Sequence, residues 1–79
     1  MRENIYIDIK LFATLRKFSP DNAGRFVINR GMTIRNLIKK LGIPDEKAKL
    51  IFINGVKGDL ESVLYGEERV GIFPPLGGG

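Results

Sequence analysis

The chain reads as a two-layer α+β domain in which a mixed sheet of four or five strands packs on one main helix. Three stretches predict it. Residues 4–12 alternate apolar and polar with period two, residues 33–42 carry every local mark of a helix, and Arg69-Val70-Gly71-Ile72-Phe73 forms a closing β-rich run. One helix and one sheet, each with a single apolar face, cover one another.

In the first element Ile5, Ile7, Ile9 and Leu11 form one face, against Asn4, Tyr6, Asp8 and Lys10 on the other. Phe12 breaks the rule by falling on the polar side. Ala13 to Gly24 has lower apolar content and ends in the turn formers Ser19-Pro20-Asp21-Asn22-Ala23-Gly24, so it reads as a loop. A second strand is expected over Arg25–Asn29. Thr33 then offers a hydroxyl cap to a helix whose Ile34, Leu37, Ile38 and Leu41 fall at i, i+3, i+4 and i+7. Lys39 and Lys40 oppose the carbonyl end of its dipole, Gly42 suits the residue after the cap, and Pro44 prevents a restart. Leu50-Ile51-Phe52-Ile53 is continuously apolar, as expected of a strand covered on both faces, and Asn54-Gly55 signals a tight turn. A short helical turn is expected over Asp59–Tyr65, with Leu60, Val63 and Leu64 directed inward. Gly66-Glu67-Glu68 then turns the chain into the closing strand. Strands flanking a helical crossover tend to be parallel and hairpin strands antiparallel, hence a mixed sheet.

The composition narrows the chemistry. Seventy-nine residues make one domain, without Cys or His. That removes Ser-His and Cys-His mechanisms, thiol redox chemistry and most zinc sites, and the nine acidic residues show no calcium-loop spacing, so no metal site is expected. The chain is not expected to be an enzyme. No signal-peptide or membrane-span pattern is present, so a cytoplasmic location with no membrane partner is expected. A net charge of +4, spread over Lys and Arg runs no longer than two, reads as solvated surface charge rather than a nucleic-acid face.

The ending is the unusual part. After Phe73 come Pro74-Pro75-Leu76 and then Gly77, Gly78 and Gly79. The prolines lack an N–H and cannot extend the ladder, so they stop the strand and project the residues beyond them. At ~3.3 Å per residue the remaining stem can carry the terminal carboxylate about 20 Å from the body. Gly77, Gly78 and Gly79 have no Cβ and could thread a channel too narrow for any side chain. Terminal glycines are also what a frayed end looks like; the Pro-Pro stop favours the functional reading.

Phe73-Pro74-Pro75-Leu76-Gly77-Gly78-Gly79 resembles the Phe-Pro-Pro-x-x-Gly-Gly terminus of the MoaD/ThiS group of ubiquitin-like sulfur carriers, most nearly the small subunit of molybdopterin synthase. "LFATLRKF" at 11–18 and "INGVKG" at 53–58 are similar to that group's first-strand and central-turn patterns. The resemblance implies a β-grasp domain over residues 1–75, a flexible glycine tail over 76–79, and a carrier role. In that group an ATP-dependent adenylating enzyme related to ubiquitin activators converts the terminal carboxylate into an acyl-adenylate, and sulfur from a persulfide leaves a thiocarboxylate there. The reactive residue would be Gly79, with Gly77 and Gly78 threading the enzyme and Phe12, Phe73, Pro74, Pro75 and Leu76 meeting the partner. No cofactor would be held by the chain, since the enzyme supplies ATP and Mg²⁺. The large subunit of molybdopterin synthase would be a second partner and the cofactor of molybdenum or tungsten enzymes the destination. A ubiquitin-like protein modifier, a carrier for tRNA thiolation or thiazole synthesis, and a β-grasp module binding RNA through its basic surface stand as alternatives.

Overall fold

The computed structural model describes residues 5–75. Five strands form one sheet: β1 (Ile5–Leu11), β2 (Phe26–Ile28), β3 (Leu50–Ile53), β4 (Val56–Gly58) and β5 (Arg69–Phe73), with one helix, α1 (Ile34–Leu41), between β2 and β3. Their spatial order is β2-β1-β5-β3-β4. The first and last strands of the chain are therefore central neighbours and run parallel, while β1–β2, β3–β5 and β3–β4 are antiparallel. This is the mixed α+β sheet on one main helix that the alternating and helical patterns predict.

The helix forms where its local signals agree. Thr33 Oγ1 accepts from the Asn36 N–H at 3.1 Å, and Asn36 Oδ1 accepts in return from the Thr33 N–H at 3.3 Å, a reciprocal cap that satisfies two otherwise free donors. Gly42 ends the helix in the left-handed conformation. Ile34, Leu37 and Ile38 enter a core shared with Ile7, Ile9, Ile51, Val70 and Ile72 from the sheet. On the wet face Arg35 joins Glu61 and Asp45, linking the helix to two loops, and the hydrogen-bonded Glu61 carboxylate raises the guanidinium pKa above its ordinary value.

Several expectations need correction. The stretch 13–24 is not plain loop: 3-10 turns cover Ala13–Phe18 and Ala23–Arg25, and Leu15 is among the most buried residues. Arg25 closes the second of these turns, so β2 starts at Phe26 and ends at Ile28. No helix forms over Asp59–Tyr65. Thr33 and Val63 make an isolated antiparallel bridge there, Leu64 is buried, Leu60 is half-buried, and Val63 faces out. The fifth strand, β4, falls where the sequence pattern predicts no strand; it is three residues long and, among the described residues, pairs only with β3. Finally, β3 is not covered on both faces: Ile51 is buried, but Leu50 and Phe52 lie half-buried on the side away from the core. The glycine tail over 76–79, with Leu76, Gly77, Gly78 and Gly79, lies outside the described residues.

Candidate functional site

Strand pairing decides which side chains share the face opposite the core. Ile9 and Leu11 oppose Val70 and Ile72 and all four are buried, so the residues between them point the other way. Register then sets Lys10 of β1 beside Gly71 of β5, Gly71 beside Phe52 of β3, and Phe52 beside Lys57 of β4. Two pairs earlier along β1 and β5, and so on the same face, Asp8 lies beside Arg69. At the other end Leu50 pairs with Phe73, and the Phe12 N–H donates to the Ile72 carbonyl, carrying β1 one residue further.

The aromatic rings gather at that end. Phe12 and Phe73 stack with centroids 4.1 Å apart and planes 1° from parallel. Phe52 meets Phe73 edge-on at 5.9 Å and 84°. The edge-on contact suits the ring quadrupoles, and the parallel pair buries apolar ring surface. The rings stand beside an open concavity of about 350 Å³ whose lining includes Gly71, Lys10 and Arg69. Pro74, half-buried, and Pro75, exposed, follow Phe73 directly. The chain thus leaves a central strand at the aromatic corner of the sheet.

Of the residues expected at the partner face, the structure brings Phe12 and Phe73 into contact and puts Pro74 and Pro75 next to them; Leu76 is outside the described residues. Sequence reasoning missed Phe52, because a continuous apolar run does not reveal which residues face the core. It also missed that Lys10, Lys57 and Arg69, distant in sequence, surround Phe52 and Gly71. The Asn54-Gly55 turn was the available signal: it sets the β3–β4 hairpin that pairs Phe52 with Lys57. Among the described residues, no cluster of three potential metal-ligating His, Cys, Asp or Glu side chains occurs, and no helix is long and apolar enough to cross a membrane.

The sequence profile of the ThiS family matches residues 9–79, which takes in all of β5 and the run beyond it. The chain belongs to the ThiS family. No curated protein sequence matches it significantly. Among solved structures, SAMP1 from Haloferax volcanii superimposes with a TM-score of 0.64 at 18% identity, covering 92% of this chain and 98% of that one. A putative molybdopterin converting factor, subunit 1, from Pyrococcus furiosus gives 0.62 at 22% identity, covering 91% and 99%. At such identities these likenesses speak for the fold, the ubiquitin-like β-grasp, which this ThiS-family chain shares over nearly its whole length.

Proposed function

We propose that this ThiS-family chain is a sulfur carrier whose Gly79 carboxylate is activated by an adenylating enzyme and becomes a thiocarboxylate. The observation that carries the proposal is the exit of the chain: β5 ends at Phe73, beside Phe12 and Phe52, and two prolines lead from that corner toward Gly77, Gly78 and Gly79. A face able to dock and a stem able to reach start at the same point.

The chemistry requires a partner, because a carboxylate is a poor electrophile until one oxygen becomes part of a good leaving group. A Gly79 carboxylate oxygen attacks the α-phosphorus of ATP, pyrophosphate leaves, and an acyl-adenylate results. The terminal sulfur of a persulfide then attacks the carbonyl carbon and AMP departs. A second thiol cleaves the S–S bond of that acyl disulfide, being oxidised to a disulfide as it releases the thiocarboxylate. The enzyme supplies ATP, Mg²⁺ and the sulfur donor; the chain supplies the docking face and the carboxylate. Delivery to a molybdopterin-type synthase, through its large subunit, is the destination favoured by the Phe73-Pro74-Pro75 ending and by the likeness to a molybdopterin converting factor subunit.

The test is intact mass after incubation with an adenylating enzyme, ATP and a persulfide donor. A gain equal to one oxygen exchanged for sulfur, localised by fragmentation to Gly79, is expected. An unchanged mass under conditions that activate another ThiS-family carrier would overturn the assignment.

A further inference from the structure

Gly71 occupies a position where glycine is a poor choice for stability. It lies in the interior of β5, paired with Lys10 on one side and Phe52 on the other, and glycine weakens a strand interior. Its backbone does not require it, since its φ lies outside the left-handed region. Nor does crowding: a Cβ there would meet only Phe12 Cε2, at an ordinary 3.5 Å. What the missing side chain provides is space. Gly71 leaves the concavity open between Lys10 and Phe52, with Phe12 and Phe73 at its end. A glycine that neither turns nor relieves a clash marks a place where something approaches closely.

The charges around that opening have one prevailing sign. Lys10 and Arg69 line it with a single carboxylate, Asp8, and among the described residues no ion pair engages either cation. The rings themselves select the occupant. Phe73 has Phe12 stacked on one face and Phe52 packed edge-on against it, so these rings do not offer two free faces on which successive bases could stack. Side by side they form instead the apolar wall of a socket.

We infer that the socket over Gly71 receives one apolar side chain of a protein partner whose surrounding surface is acidic, its carboxylates facing Lys10 and Arg69. This rests on the carrier reading in naming the adenylating enzyme as that partner, and it gives the basic outer face a role: charge brings the two surfaces together and fixes their register, and the anchored side chain slows their separation.

The experiment measures binding of the full chain to the adenylating enzyme of the same cell by calorimetry, at low and at physiological salt. Gly71→Val is expected to keep or raise the melting temperature while weakening binding by ~30-fold, as filling a hot-spot pocket does. Lys10→Glu with Arg69→Glu should weaken binding by at least ~10-fold at low salt, with a smaller difference at high salt because exposed charges are screened. The Lys10→Arg with Arg69→Lys pair, which preserves charge, should bind like the wild type. Undiminished binding by Gly71→Val or by the double Glu variant overturns the inference while leaving the carrier reading intact.

A second arm is independent of that reading: NMR titration with a peptide carrying one leucine flanked by glutamates, its lysine-flanked counterpart, and a single-stranded oligouridine. Shifts at Gly71, Phe12 and Phe52 are expected with the acidic peptide alone. Equal response to the lysine peptide, no response to either peptide, or saturable binding of the oligouridine at Phe12 would each sink the proposal. Failure of the wild-type chain to gain sulfur would by contrast count against the carrier function.

Discussion

The Phe12 ring lies flat against the Phe73 ring, 4.1 Å between centroids and within 1° of parallel, although sixty-one positions separate the two residues. The parallel pairing of β1 with β5 makes them neighbours. Because both rings are half-buried, each has a stabilising part and an accessible part. Phe12→Ala and Phe73→Ala are each expected to weaken binding to the adenylating enzyme by ~30-fold, the scale of an aromatic hot spot. Losing the stack itself costs about 1 kcal/mol, a fall in melting temperature of about 4–8 °C for a domain of this size. The double variant should destabilise by less than the two singles together, because either truncation already removes the shared contact. Melting curves and calorimetry decide it. A collapse of stability with unchanged affinity would make these residues core and not docking face.

Glu68 governs the entry to β5. Although acidic, it is only 8% exposed, and its carboxylate accepts from the Tyr65 N–H at 2.7 Å and the Gly66 N–H at 2.8 Å. Glu68→Ala would leave two donors without a partner, at about 1–3 kcal/mol for each one that water cannot reach. Thermal melting should therefore show a fall of more than about 10 °C, with Glu68→Gln between the two because an amide oxygen can still accept. Gly66→Ala should be at least as harmful. Its φ is +125°, and a Cβ would come within 2.6 Å of Ile5 Cγ2 on the first strand. A Glu68→Ala protein that melts like the wild type would show that the turn is held by its backbone bonds to β1 alone.

The sequence disclosed these features unequally, and the reason is the range of the interactions that build them. Helix α1 was legible because its hydroxyl cap, apolar stripe, terminal lysines and Gly42 all act within a few residues of one another. The period-two pattern disclosed the inner face of β1, and with it the position of Phe12 on the other side. Strand β4 was not legible: Val56-Lys57-Gly58 is a strand only because β3 lies beside it. Leu15 looked like a loop residue because a 3-10 turn has no long period to read, and what buries it is the rest of the core. The candidate site divides in the same way. Phe73, Pro74 and Pro75 were found in one contiguous run, whereas the grouping of Gly71, Phe52, Lys10, Lys57 and Arg69 exists only after four strands pair.

The cap at Thr33 can be tested without touching the docking face. Thr33→Ala removes the acceptor for the Asn36 N–H and should cost about 1 kcal/mol. Asn36→Ala should cost less, since the Thr33 N–H it releases lies at an exposed helix start. Urea denaturation should show lower midpoints with an unchanged slope, and binding to the adenylating enzyme should not change. Weakened binding in Thr33→Ala would mean that the helix end communicates with the opposite face of the sheet.

The terminal glycines carry the sharpest expectation. Deleting Gly79, or adding one residue after it, should abolish thiocarboxylate formation while leaving the melting temperature and the affinity of docking nearly unchanged. The separation arises from where the chain leaves the fold: β5 ends at Phe73, Pro74 and Pro75 cannot extend its ladder, and the buried core is built from residues up to Ile72. If the carrier reading holds and the terminal glycines thread the adenylating enzyme, Gly78→Ala adds a methyl group where the channel would fit a bare backbone. It should therefore fold and dock like the wild type but be activated slowly. Single-turnover adenylation with radiolabelled ATP, measured on the two variants and on Phe12→Ala, distinguishes the roles. Phe12→Ala should recover its rate at high enzyme concentration, because its defect is in binding. The Gly79 deletion should not recover at any concentration, because the carboxylate is displaced from the reacting position. Normal acyl-adenylate formation by the deletion would show that the position of the carboxylate is not read from this residue, and the carrier assignment would fall with it.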